Sequence, residues 1–140
     1  EVTSDNNNRS VANIRSYFNK ANGNLGTSGS VDFLFERICI FRIDKRVNNK
    51  EQIELDFIDF GVEEVFCDEN EIVICGSFEN YGIIQKELEK RNIEILSFSF
   101  ERIALSPKEL DEYQRNIVED LIKKIEQDDD VQNVFHSMKV

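Results

Sequence analysis

Apolar positions repeat with a helical period at the start of the chain. Val11, Ile14, Phe18 and Ala21 fall three or four residues apart between Ser10 and Asn22, giving a helix with one apolar face. Gly23 suits a left-handed stop, and Arg15 and Lys20 occupy the opposite side, with Arg9 just ahead. After a loop from Gly23 to Ser30, the runs Val31–Phe35 and Ile38–Ile43 read as two strands almost without a break. Residues 44–50 are polar and turn-like. Ile53 to Phe57 alternates with period two, yet Ile58 and Phe60 break the alternation and Gly61 suits a helix end, so pattern leaves strand and helix both open. Val65–Cys67 and Ile72–Ile74 flank Asp68-Glu69-Asn70-Glu71 and predict a hairpin.

Ser77 is placed to cap a helix running to about Arg91, and Ile93 to Leu105 is a long strand-like run, bent near its middle. Ser106-Pro107-Lys108-Glu109 has a cap residue, proline at the first helical position and glutamate at the third. It predicts a helix continued by Leu110, Tyr113, Ile117, Leu121 and Ile125 and ended by Asp128-Asp129-Asp130, before a last strand from Val131 to Met138. This order accommodates an α+β fold of two ferredoxin-like βαββαβ units, one inserted into the other. Residues 37–97 form the inserted unit, and 1–36 with 98–140 form a discontinuous one whose first strand ends within Glu1–Ser4. Connections crossing at 31–43 and 93–105 explain why both runs exceed the usual strand length.

Charge narrows the partners. Residues 1–30 carry three basic against two acidic side chains (+1), 31–105 nine against seventeen (-8) and 106–140 five against nine (-4), for a net -11 over 140 residues. That balance opposes broad contact with phosphate backbones, so any nucleic-acid face is local, and the first thirty residues are its place. No run of eighteen apolar residues exists to span a membrane. The start, Glu1-Val2-Thr3-Ser4-Asp5, lacks an initiator Met and signal-peptide character and reads as an internal boundary of a longer, cytoplasmic protein. Cys39, Cys67 and Cys75, without CxxC spacing and set in apolar runs, read as buried reduced thiols.

Few residues suggest chemistry. Gly23 to Ser30 leads from a helix into a strand and has no Lys after its last Gly, the reverse of a phosphate cradle. Its glycines serve turns, or the loop contacts RNA or protein. Asn6-Asn7-Asn8 can cap the first helix; alternatively Asn8, Arg9, Arg15 and Lys20 join Asn24, Thr27 and Ser28 of the loop as one polar, positive edge for a nucleic acid or another partner. Asp128-Asp129-Asp130 reads as a solvated turn, since consecutive carboxylates cannot converge on one cation without a dedicated loop. His136 reads as structural. No nucleophile–base pair or metal-ligand spacing is legible, so no enzyme activity, cofactor, metal or small-molecule substrate is expected.

At Asn8-Arg9-Ser10-Val11, at Gly23-Asn24-Leu25-Gly26-Thr27-Ser28-Gly29-Ser30-Val31 and at Asp129-Asp130-Val131-Gln132-Asn133-Val134-Phe135-His136, the chain resembles the YebC family, which includes the mitochondrial translational activator of cytochrome oxidase. The resemblance covers the second and third family domains. It implies the inserted arrangement, a helix over 51–60 and a basic N-terminal helical domain outside this chain. It also implies a regulator of gene expression without catalytic residues, described either as a DNA-binding transcriptional regulator or as a ribosome-associated translation factor. Acidity favours a ribosomal RNA–protein assembly, ribosomal proteins included, over bare DNA. A small-molecule-sensing module is a further alternative, because paired βαββαβ units often bind metabolites between them.

Overall fold

The computed structural model describes residues 1–140. In chain order the elements are α1 (Asn7–Lys20), β1 (Phe35–Asp44), α2 (Lys50–Phe57), β2 (Val62–Asp68), β3 (Glu71–Ser77), α3 (Tyr81–Lys90), β4 (Ile95–Ala104) and α4 (Glu112–Glu126). The fold is α+β, and the chain divides into two compact units, Glu36–Ile103 and Glu1–Phe35 with Ala104–Val140.

The continuous unit runs β1-α2-β2-β3-α3-β4 around one four-stranded sheet of order β2-β3-β1-β4. Both strand pairs β1–β3 and β2–β3 are antiparallel, with Phe41 opposite Ile74 and Val65 opposite the same residue. Alternation sends Cys39, Phe41 and Ile43 to the face that meets Ile53 and Phe57 of α2 and Ile84 and Leu88 of α3, all buried. Each such Ile, Leu or Phe contributes roughly 1.5–3 kcal/mol on leaving water. Ile38, Ile40 and Val73 form a smaller cluster on the other face. Tyr81 stacks on Phe41 at 5.5 Å and meets Phe100 edge-on at 4.9 Å.

The ambiguous 51–60 stretch is helical. Asn49 accepts from the Gln52 N–H and fixes the start of α2, and a 3-10 turn (Ile58–Phe60) carries the chain to Gly61 at φ 89. Ile53 and Phe57, four apart, then face the sheet. The hairpin forms as expected, with Glu69 and Asn70 as its turn.

The discontinuous unit holds α1 and α4, packed on each other. Its β structure is limited to two bridges, Val2 with Val131 and Lys108 with Met138. The strand expected over Val31–Phe35 is instead a 3-10 turn at Asp32–Leu34 preceding a single strand from Phe35, and Phe33 is 75% exposed. An apolar run with no covering layer gains nothing from strand geometry. Val131–Met138 does not form a regular strand either. The helix expected from Ser106 begins at Glu112, because Asp111 makes the reciprocal cap with Gln114. Lys108 is held extended by bonds to Ser137 O and from Lys139 N, so the Pro107 segment is unavailable for a first helical turn. Ser77 also makes no side-chain cap; its hydroxyl accepts from Asn80 Nδ2.

Candidate nucleic-acid interface

Asn6 is the residue of the asparagine run that caps α1, accepting the Arg9 N–H at 3.1 Å. Asn8 lies exposed in the first turn. The helix ends with Asn22, not Gly23, in the left-handed conformation (φ 60). Asn22 N–H bonds Asn19 O and Gly23 N–H bonds Phe18 O, the paired closure of a Schellman turn. Beyond it Asn24, Thr27 and Ser28 are exposed, and the loop turns through bonds from Ser30 N to Thr27 O and from Asp32 N to Gly29 O. Gly29 is the loop glycine whose φ of 80 requires its missing side chain.

Arg9 has a different setting from the other cations. Its guanidinium sits 2.9 Å from Asp5 and 3.2 Å from Asp130. Asp130 also lies 2.6 Å from the hydroxyl of buried Ser10, which is itself 2.6 Å from the Ser4 hydroxyl. The Ser10 hydroxyl and the Arg9 charge hold the Asp130 carboxyl below the usual carboxylate range, against the desolvation that raises it. Asp128 accepts from the Tyr17 hydroxyl at 2.8 Å, a bond that raises the phenol's pKa. The Asp128–Asp130 run is therefore a fastener between helix α1 and the chain after α4; only Asp129 of the three is exposed.

Arg15 and Lys20 are exposed and make no ion pair, and they line a groove with Ala12, Ser16 and Asn19. Lys20 lines a second groove of about 230 Å³ between α1 and α4, where Lys124 stands with one carboxylate, Asp120, and with Ile117 and Leu121. Sequence reasoning missed Lys124. The spacing of Ile117, Leu121 and Lys124 places it on the apolar stripe of α4, but which helix that stripe meets is a tertiary fact. Asn8 to Lys20 spans about 18 Å at 1.5 Å per residue, so these residues form a track along a helix and not a point. Cys39 is buried and Cys75 half-buried, but Cys67 is exposed, contrary to expectation. His136 Nδ1 accepts the Met138 N–H, a local structural role.

The second-and-third-domain model of TACO1/YebC proteins matches residues 1–138. The chain belongs to the TACO1/YebC family. It is 60% identical over 139 residues to a "probable transcriptional regulatory protein" of Flavobacterium johnsoniae, covering 99% of this chain and 59% of that protein. Proteins of the same name from Parabacteroides distasonis and Myxococcus xanthus are 52% and 40% identical, with 58% and 60% of their lengths covered. The chain thus spans about three-fifths of the length of these curated relatives. A solved structure, a conserved hypothetical protein from Aquifex aeolicus, superposes over 99% of this chain and 57% of its own with a TM-score of 0.74 at 30% identity. These bacterial relatives are each named a probable transcriptional regulatory protein.

Proposed function

We propose that this part of a TACO1/YebC protein is a non-enzymatic, cytoplasmic translation factor that meets ribosomal RNA through the exposed side of α1 and the loop after it. The observation that carries the reading is local charge. Arg15 and Lys20 stand without ion pairs in the one stretch of positive balance, with Lys124 beside Lys20, whereas the rest of the chain is acidic. An isolated basic track on an acidic body suits an assembly where contact is confined to one face. Asn8, Asn24, Thr27 and Ser28 supply neutral donors to phosphate or sugar, and Arg9 chiefly fastens the N-terminal segment to Asp130. The further reading, that the discontinuous unit is a second βαββαβ unit interrupted by the first, rests on the Val2–Val131 and Lys108–Met138 bridges.

The test is co-sedimentation with ribosomes against a mobility shift of promoter DNA, at one physiological salt concentration. Ribosome association is expected. Arg15→Ala/Lys20→Ala/Lys124→Ala should weaken it and lower the salt slope by about 2, taking about 0.7 per phosphate contact in single-stranded nucleic acid. An unchanged slope would remove the interface. The relatives' naming favours a second reading, a transcriptional regulator on DNA, and a specific promoter shift without ribosome association would establish it.

A further inference from the structure

The continuous unit carries a second surface of opposite character. Residues 51–85 contain ten carboxylate side chains and neither lysine nor arginine. A groove of about 310 Å³ runs between α2 and β2, lined by Glu54, Ile58, Val62, Glu63, Glu64 and Val65. Strand β2 is an edge of the sheet, and its pairing with β3 skips at Glu63, where Val62 faces Gly76 and Glu64 faces Cys75. Such a bulge re-aims side chains, and here it brings two consecutive glutamates to one groove. Glu54 is paired with Lys50 at 2.8 Å, whereas Glu63 and Glu64 have no cationic partner.

Carboxylates on an edge strand keep other strands away, which alone accounts for Glu63 and Glu64. It does not account for the aliphatic side chain of Ile58, which lines the same groove and is 67% exposed. Carboxylates beside aliphatic side chains in one groove repel phosphate and are complementary to cationic side chains with long apolar stems. No three acidic side chains are placed to hold a metal ion.

We propose that the groove between α2 and edge strand β2 docks a lysine- and arginine-rich polypeptide segment that carries an aliphatic side chain. The stems and the aliphatic residue cover Ile58 and Val62, and the cationic heads meet Glu63 and Glu64. This site lies in a different unit from Arg15, Lys20 and Lys124, so it stands or falls separately from the RNA reading.

The probe is a fluorescein-labelled peptide of roughly a dozen residues, mostly Lys and Arg with two Ile, titrated with the chain and followed by anisotropy and amide chemical-shift mapping. Shifts are expected at residues 54–65, and affinity should fall as salt rises from about 0.05 to about 0.3 M. Glu63→Lys/Glu64→Lys should weaken binding about tenfold or more. Ile58→Ser should weaken it about threefold to tenfold, and so should replacing the peptide's Ile by Ser. Glu109→Lys/Glu126→Lys makes the same charge change in the other unit and should alter binding by less than about twofold. Both variants remain folded by circular dichroism if the substituted residues are as exposed as the structure has them; Glu63→Gln/Glu64→Gln serves if the reversal does not fold. Equal weakening by the two pairs, indifference to the Ile replacements, shifts mapping elsewhere, absence of binding, or displacement of the peptide from the groove by oligouridylate would each overturn the proposal.

Discussion

Ile84 of α3 packs close over Gly76 in β3, and adding one methyl group there tests that approach. A Cβ at Gly76 would stand 2.7 Å from Ile84 Cδ1 and 3.0 Å from the Gly61 carbonyl oxygen, well inside the 3.5–4.0 Å at which carbon atoms attract. Neither neighbour can retreat easily. Ile84 is fully buried, and Gly61, at φ 89, already has the Asn80 side chain where its own Cβ would lie. Overpacking of this kind costs about 1–3 kcal/mol, offset by about 0.4–1 kcal/mol because alanine restricts the unfolded chain. Gly76→Ala should therefore destabilise by about 1–2 kcal/mol, measured by urea unfolding followed by circular dichroism. Ile84→Val removes Cδ1 and alone should cost about 0.5–1.5 kcal/mol. If Cδ1 is the obstacle, the double variant costs less than the two single changes together by about 1 kcal/mol. A neutral Gly76→Ala, or a double variant that is simply additive, would refute the close approach of α3 to β3.

Asp111→Ala should cost about 0.5–2 kcal/mol of stability through loss of the α4 cap, while Ser106→Ala stays within about 0.5 kcal/mol; urea midpoints of the two distinguish the real helix start from the apparent one. Iodoacetamide at neutral pH should label Cys67 first, since burial pushes the Cys75 thiol up to about 11 and also raises Cys39; mass spectrometry showing equal rates would contradict this. Because the Asp130 carboxyl is held low in the folded chain, the unfolded state binds its proton more readily, so this stabilisation is complete above the ordinary carboxylate pKa of about 3.9 and is lost as pH falls through the folded value. Asp130→Asn should remove that part of the acid sensitivity, seen as a smaller drop in urea midpoint between about pH 5 and about pH 3 than the native chain shows.

Elements whose partner surface is close in sequence were readable. The β2–β3 hairpin follows from two apolar runs flanking a polar turn, and α3 from Ile84 and Leu88 at helical spacing. Elements decided by competition were not. Ser106-Pro107 and Asp111 both offer a helix start, and the winner is the one whose upstream backbone is not already bonded, at Lys108, to Ser137 and Lys139 some thirty residues away. Val31–Leu34 has strand composition, but composition registers what could be buried, and here no neighbouring layer covers Phe33. The family motifs identified the chain well where local periodicity misplaced its element ends, and Ser10 and Asp130, which bond to each other in the fold, both lie within those motifs.

The same distinction governs the site. Arg9, Arg15 and Lys20 are equivalent as letters, each a cation near the first helix. Folding separates them, because Asp130 arrives from 121 residues away to occupy Arg9, and Lys124 arrives on α4 to stand in Lys20's groove. A free cation beside a second free cation raises local potential, whereas one clamped between two carboxylates adds little beyond its own bonds. The basic track is thus selected by what the carboxylates of the C-terminal segment neutralise. The same acidity pairs Arg9 with Asp5 and Asp130 and leaves Arg15, Lys20 and Lys124 as the cations without ion pairs in the proposed track. Under the proposed RNA contact, Asp130→Lys should accordingly steepen the salt slope beyond what those three side chains set, because Arg9 loses its carboxylate partner there, even though the change weakens the fold at Ser10.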